Sequence, residues 1–150
     1  VSEPMEYNFT VEDAVPDPVR DAIVRLVVEF NNSKVGPSNG RPLFVVLRDD
    51  ASNVSGGLSG STSRGWLFID HLVVPEASRG HGVGRTVVAL AEREAVDRGC
   101  HDAWLNTFEF QARGFYEKLG YTCFGELPDY PPGFSRFFMK KSLRAAASKT

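Results

Sequence analysis

Apolar residues recur at helical spacing in three stretches of the chain. Residues 18–30 place apolar side chains three or four positions apart, and Pro18 suits the first turn of a helix. Residues 83–98 carry valines and alanines on one face and charged residues largely on the other, and Gly99 ends the pattern. A shorter helix is predicted at residues 111–119.

Strands are predicted between and around these helices. Residues 5–11 alternate enough to form a first strand, and residues 43–48 form a hairpin with the glycine-containing stretch 54–61. Residues 66–74 are apolar on both faces, which is typical of a strand at the centre of a sheet. Further strands are expected at residues 102–107, 121–127 and 136–143.

The order of these elements indicates a mixed α/β fold (α+β type), built as one domain over residues 1–143. No repeat, low-complexity tract or interdomain linker interrupts it. Residues 31–42 are expected to form a long loop of undetermined role, and residues 144–150 a disordered tail.

Composition narrows the classes of function. With 150 residues, 42% hydrophobic and 24% charged, the chain has enough apolar material for one soluble domain. A net charge of −2 disfavours a nucleic-acid partner, which would need a wide basic surface.

Cys100 and Cys123 lack metal-ligand spacing, so we expect no metal and two buried free thiols. No apolar run reaches the roughly 20 residues of a membrane span, and residues 1–9 lack a signal-peptide pattern, so no membrane partner is expected and the expected location is cytoplasmic.

The segment with the clearest chemistry joins the central strand to the second predicted helix. Residues 79–86 read RGHGVGRT and offer no Ser, Asp or Asn to cap the helix, so its first N–H groups lack a partner from the chain. The glycines allow close approach, and the helix start, Arg79 and Arg85 supply positive charge. We therefore predict a phosphate or pyrophosphate site. The alternative is a tight glycine-rich turn with solvated amides, and the spacing matches neither the P-loop nor the dinucleotide motif.

Two motifs resemble the GNAT acetyltransferase superfamily. Arg79, Gly82 and Gly84 fill its Arg/Gln-x-x-Gly-x-Gly/Ala acetyl-CoA signature, and residues 115–121, FYEKLGY, are similar to its second hallmark. The resemblance covers residues 43–143. It implies a central mixed, mostly antiparallel sheet of about seven strands flanked by about four helices. Acetyl-CoA, the implied cosubstrate, would lie where two central strands splay apart.

By the same resemblance, the coenzyme contacts the backbone more than side chains. Its pantetheine would pair with the end of the central strand, and its pyrophosphate would lie on the glycine segment. Many members carry an Asn seven residues before the Tyr of the second motif, where this chain has Glu109, and Asn106 or Gln111 would substitute. The implied cofactor-binding residues are Leu72, Val73, Val74, Arg79, Gly80, His81, Gly82, Val83, Gly84, Arg85 and Asn106.

Proton transfer needs an acid and a base. By the resemblance, Tyr116 protonates the departing thiolate, since a phenol stays protonated at pH 7, and the N–H of Val73 or Val74 holds the oxyanion. The alternative for Tyr116 is an aromatic core residue. Asp70 interrupts an apolar strand and is the candidate base, or else a partner for an arginine or a turn amide. His71, a weaker candidate, points to the other face if the strand is regular.

Aromatic and acidic residues cluster after the coenzyme strand and in the last hairpin loop. The candidate acceptor-binding residues are Phe108, Glu109, Phe110 and Tyr130, with Glu126 and Asp129 nearby. Such a rim suits a small cationic amine. The alternative is that these side chains close the core or form a dimer contact, and a homodimer is left open.

The sequence thus predicts an acetyl-CoA-dependent N-acetyltransferase that transfers the acetyl group directly to a primary amine of a small molecule. Cys100 and Cys123 have no recognisable His partner, so no covalent enzyme intermediate is expected. The alternative is a non-catalytic acyl-CoA-binding or regulatory module of the same fold. The failed nucleotide motifs disfavour a nucleotide-binding enzyme.

Overall fold

The computed structural model describes residues 4–144, and the chain divides after Ser38 into two units. Residues 1–38 form the first unit and residues 39–150 the second. The tail predicted at residues 144–150 lies, apart from Arg144, outside the described residues. All the candidate site residues belong to the second unit.

Helix α1 (Asp17–Val35) is the regular element of the first unit. Gly36 ends it in a left-handed conformation with φ of 78°, and its N–H donates to the carbonyl of Asn32. Because no helix-breaking residue precedes Gly36, residues 31–35 of the predicted loop are helical. The strand predicted at residues 5–11 is wrong, since those residues have no regular structure and residues 4–38 hold no other strand to pair with.

The second unit is built on a six-stranded sheet. The strands are β1 (Arg41–Arg48), β2 (Val54–Ser63), β3 (Trp66–Val73), β4 (Asp102–Phe108), β5 (Thr122–Leu127) and β6 (Arg136–Ser142). They lie in the order β1-β2-β3-β4-β6-β5, and only the β3–β4 pair is parallel. This confirms the mixed, mostly antiparallel sheet, with six strands in the described residues where about seven are expected.

Two α-helices accompany this sheet, α2 (Val83–Asp97) and α3 (Arg113–Lys118), so residues 4–144 hold three α-helices where about four are expected. The buried face of α2 is Gly84, Val87, Val88, Ala91 and Ala95. Its valines and alanines join Leu43, Leu58, Leu67 and Ile69 of the sheet in one core. The predicted amphipathic helix is confirmed. None of the helices within residues 4–144 is long and apolar enough to cross a bilayer.

The two central strands separate part-way along their length. The parallel ladder between β3 and β4 stops at Ile69 opposite Leu105, although β3 continues to Val73 and β4 to Phe108. On its other side β3 stays paired with β2 as far as Val73 opposite Gly57. The strand ends therefore splay apart, and the backbone groups facing the gap do not pair across it.

A β-bulge lies at the point of separation. In the β2–β3 ladder Ser59 pairs with His71 and Gly60 with Ile69, so Asp70 is an extra residue on β3. Bulges break the alternation of side chains and re-aim them. The strand is therefore not regular here, and Asp70 and His71 both line the same cleft.

Candidate active site

The gap between the separated ends of β3 and β4 is a cleft of about 710 Å³. Clefts of roughly 300–1,000 Å³ hold cofactors and small ligands. Among the predicted site residues it is lined by Asp70, Leu72, Val73, Val74, Arg79, Gly80, Asn106, Phe110 and Tyr116. The other predicted residues, which do not line it, are His81, Gly82, Val83, Gly84, Arg85, Phe108, Glu109 and Tyr130. One cavity thus joins both sequence motifs and both candidate catalytic side chains.

The backbone at the start of α2 has unused N–H groups. Its first helical bond runs from the Thr86 N–H to the Gly82 carbonyl (3.0 Å), so the amides of Val83, Gly84 and Arg85 have no helical acceptor. Gly82 stands at the N-cap with φ of 77° and provides no side-chain cap. The predicted uncapped helix start is present, and it can bind an anion.

Arg79 and His81, two of the predicted phosphate-binding residues, already use their backbone N–H groups in hydrogen bonds within the preceding turn. The Arg79 N–H donates to the Glu76 carbonyl (3.2 Å), and the His81 N–H donates to the Ser78 carbonyl (3.3 Å). Their amides are therefore occupied. Arg79 lines the cleft, so what it can offer an anion there is its charge rather than its backbone N–H.

Gly84 has a packing role that its place in the motif does not reveal. It is buried, and a Cβ at this position would lie 3.1 Å from Cζ of Phe115 and 3.3 Å from Cγ2 of Val74. At Gly82, by contrast, a Cβ would meet nothing within 4 Å. Gly84 therefore lets the start of α2 approach α3 closely, whereas Gly82 supplies a left-handed turn.

Tyr116 belongs both to the core and to the cleft. Its side chain is 6% exposed and packs edge-on against Phe115 and Tyr121, with ring centroids 5.1 Å and 5.7 Å away. Burial raises the pKa of Tyr116 to about 12. Within residues 4–144 no protein group hydrogen-bonds its hydroxyl, yet no buried polar atom is left unsatisfied, so the hydroxyl opens onto the cleft.

Asp70 forms a polar group with His71 and Ser59 at the bulge. Its Oδ2 lies 3.5 Å from Nδ1 of His71, and that nitrogen lies 3.1 Å from Oγ of Ser59. The Asp70 side chain is 54% exposed, so solvent can stabilise its charge and it needs no charged or hydrogen-bonding partner. In the described residues it pairs with neither an arginine nor a turn amide. A carboxylate beside an imidazole at a cleft can accept a proton from a bound amine.

The two carboxamides expected to contact the coenzyme already bind protein groups through their oxygens. Oδ1 of Asn106 accepts from the guanidinium of Arg136, with Nε at 2.9 Å. Oε1 of Gln111 accepts from the Phe108 N–H at 2.9 Å and from Oγ1 of Thr107 at 3.3 Å. Both side chains line the cleft, so what they can still offer a ligand is their NH₂ groups.

The predicted acceptor rim is assembled as an aromatic cluster. Phe108 stacks on Phe110 with centroids 5.3 Å apart and contacts Tyr130 at 6.2 Å. Glu109 is turned to the hairpin loop between β5 and β6, where its Oε2 accepts from the Ser135 N–H at 2.7 Å. The acidic side chain thus holds the loop in place, and Phe110 is the member of the rim that lines the cleft.

Arg136 is a member of this region that the sequence interpretation missed. Its guanidinium lies 4.9 Å from the ring centre of Phe108 and 4.6 Å from that of Tyr130. An arginine at the start of a strand carries no local signal here, because its hydrogen-bond partner Asn106 lies 30 residues away in the chain.

The cysteines take no part in the cleft. Cys100 is buried and Cys123 partly buried, and both are free thiols. Burial raises the pKa of the Cys100 thiol, which keeps it protonated and unreactive. Within residues 4–144 no group of three or more His, Cys, Asp or Glu side chains is placed to hold a metal ion.

The sequence profile of the acetyltransferase (GNAT) family matches residues 9–121. The chain belongs to the GNAT acetyltransferase family. It is similar to an acetyltransferase of Agrobacterium fabrum, at 38% identity over 89% of this chain and 98% of the relative. It is also similar to the blasticidin-S acetyltransferase of Streptomyces morookaense, at 38% identity over 69% of this chain and 79% of that enzyme.

A crystal structure of an acetyltransferase from Agrobacterium tumefaciens has the same GNAT fold. It matches with a TM-score of 0.85 and 38% identity, covering 91% of this chain and 99% of that one. GNAT proteins are acetyl-CoA-dependent N-acyltransferases, so the protein is an acyltransferase.

Proposed function

We propose that this GNAT protein transfers the acetyl group of acetyl-CoA directly to a primary amine of a small molecule. The observation that carries the proposal is the cleft between β3 and β4, which is lined by Asp70, Tyr116 and Arg79, with the uncapped start of α2 following Arg79 closely in the chain. An anion site, a proton donor and a proton acceptor are the three parts that such a transfer requires.

The coenzyme would be held mainly by backbone. Its pyrophosphate would accept from the free amides at the start of α2, with Arg79 adding a full charge. Its pantetheine would extend along the unpaired edge of Leu72, Val73 and Val74, where the strands have separated. Asn106 lines the same cleft, and its NH₂ group would donate from the opposite wall.

The chemistry follows from this placement. The amine nitrogen attacks the thioester carbon, and the N–H of Val73 or Val74 would stabilise the oxyanion. The C–S bond then breaks, and Tyr116 gives the proton of its hydroxyl to the departing sulfur. The surplus proton of the amine passes to Asp70. No cysteine is needed, so the acetyl group would move in one direct transfer.

The acceptor would occupy the end of the cleft at Phe110. The cluster of Phe108, Phe110 and Tyr130 would form its apolar wall, with Glu109 fixing the hairpin loop behind it. A relative that is 38% identical is named for blasticidin S, which supports a small-molecule acceptor.

Ligand binding and turnover test the proposal separately. Acetyl-CoA at 100 times its Kd should stabilise the protein by about 2.7 kcal/mol, while NAD and ATP at equal concentration should not. A panel of small amines that includes blasticidin S is then assayed for release of free CoA. Stabilisation without CoA release from any amine would favour the non-catalytic acyl-CoA-binding module. No stabilisation at all would contradict both.

A further inference from the structure

Arg136 is a half-buried cation without a carboxylate partner. In the described residues no Asp or Glu oxygen lies within 4 Å of its guanidinium, although Arg25, Arg98 and Arg113 each have such a partner. Nε and Nη2 donate to the amide oxygen of Asn106. An amide oxygen satisfies hydrogen-bonding capacity but leaves the positive charge unneutralised.

The guanidinium is also held rigidly. It lies over the rings of Phe108 (4.9 Å) and Tyr130 (4.6 Å), in two cation–π contacts. Phe108 stands directly opposite Arg136 in the β4–β6 ladder. A planar cation fixed on two rings and one amide loses little conformational entropy when it binds a further partner, which favours a binding role.

Arg136 does not line the cleft itself but stands behind two residues of its wall. Asn106, which accepts its hydrogen bonds, lines the cleft, and so does Phe110, which stacks on Phe108. Nη1 makes no hydrogen bond to the part of the chain that the structure describes. One edge of the guanidinium therefore has no partner among residues 4–144, while its other edge bonds a residue of the cleft wall.

From these contacts we propose that Arg136 binds an anionic group of the acceptor, a carboxylate or a phosphate. The inference rests on the proposed function and sharpens its substrate class: the amine to be acetylated belongs to a molecule that also carries an anion. Glu109, the acidic residue of the rim, accepts from the Ser135 N–H, and none of its oxygens lies within 4 Å of the Arg136 guanidinium.

The test uses matched pairs of amines that differ only in the anion. L-lysine is compared with L-lysinamide for the carboxylate, and phosphoethanolamine with ethanolamine for the phosphate. Each compound is titrated calorimetrically against the CoA-loaded protein, and each is assayed for CoA release with acetyl-CoA. We expect the wild type to bind an anionic member more tightly than its neutral counterpart.

Substitution of the arginine should remove that difference. A charge-assisted hydrogen bond lost in Arg136→Gln should weaken binding of the anionic member roughly 10- to 100-fold and leave the neutral member unchanged. Arg136→Lys keeps the charge without the planar fork, so it should fall between the two. Lys140→Gln is the control, since Lys140 is exposed on the same strand and lies over Phe124 instead.

The outcomes distinguish a failure of this inference from a failure of the proposed acetyl transfer. Equal weakening of both members by Arg136→Gln would mean that the arginine only positions Asn106, and would overturn the inference. So would wild-type protein that binds no anionic member better than its neutral partner. If Arg136→Gln does not fold, Arg136→Lys decides by the same comparison. Anion-dependent binding without CoA release from any amine would refute the acetyl transfer and leave the anion site standing.

Discussion

The two ends of the cleft are built by different means. At the end proposed for the coenzyme the available groups are backbone amides, left unpaired at the splayed end of β3 and at the uncapped start of α2, which follows the cleft-lining Arg79 and Gly80 in the chain. At the proposed acceptor end they are side chains, held by ring contacts, by the hydrogen bonds from Arg136 to Asn106 and by the hydrogen bond from the Ser135 N–H to Glu109. A backbone site needs only local geometry, so it tolerates substitution of side chains except at its glycines. A side-chain site depends on each partner.

The largest effect is expected at Tyr116, which faces the cleft from the core. Tyr116→Phe keeps the packed ring and removes the hydroxyl, so kcat should fall roughly 10²- to 10⁴-fold with acetyl-CoA affinity preserved. Because burial raises the pKa of Tyr116 to about 12, the hydroxyl of the wild type stays protonated and kcat should not decline between pH 8 and about 10. Steady-state kinetics across that range test both statements. An unaltered kcat in the variant would leave Tyr116 as a core residue.

The next largest effect is expected at Asp70. Asp70→Asn removes the carboxylate at the bulge, and turnover should fall most at low pH, by roughly 10²-fold, because there the acceptor amine is mainly protonated. At high pH the amine loses its proton to solvent, and the rate should recover. A pH profile of kcat/KM distinguishes the roles: a loss that persists at high pH would mean that Asp70 positions the amine. Ser59→Ala, which keeps the carboxylate, serves as the control.

Substitutions of the two motif glycines, Gly82 and Gly84, should have different kinds of effect. Gly82→Val adds a side chain to open space at positive φ, so it should abolish stabilisation by acetyl-CoA while costing the fold roughly 1–2 kcal/mol. Gly84→Val forces side-chain atoms against Phe115 and Val74, and overpacking of this kind costs about 1–3 kcal/mol of unfolding free energy. Thermal unfolding with and without acetyl-CoA separates the cases. Full stabilisation of the Gly82→Val variant by acetyl-CoA would show that the anion site lies elsewhere.

The smallest effect concerns the loop beside the acceptor end. Glu109→Ala removes the acceptor for the Ser135 N–H and should lower the free energy of unfolding by about 1 kcal/mol. Glu126→Ala, an exposed carboxylate on β5, is the matched control and should change little. Urea denaturation provides the measurement. If Glu109→Ala raised the KM of the amine at unchanged stability, the carboxylate would contact the acceptor directly.

The sequence predicts the backbone end of the cleft better than the side-chain end, because the first depends on local patterns and the second on distant partners. The glycine segment, the amphipathic α2 and the hairpin of β1 and β2 are local patterns, and the structure contains all three. The partners of Arg136 and Glu109 lie 30 and 26 residues away, so no local pattern could reveal them. The bulge at Asp70 was hidden for a similar reason, since a bulge is defined by the register of the neighbouring strand.

Gly84 also has an evolutionary consequence. It belongs to the acetyl-CoA signature, yet its missing side chain is what accommodates Phe115, the first residue of the second motif. The two motifs are therefore not independent characters. Where a relative carries alanine in place of Gly84, we expect a smaller or shifted residue in place of Phe115, so the positions should covary through descent. Exchanging either motif alone between relatives should then give poorly packed hybrids, and exchanging both together should restore the packing.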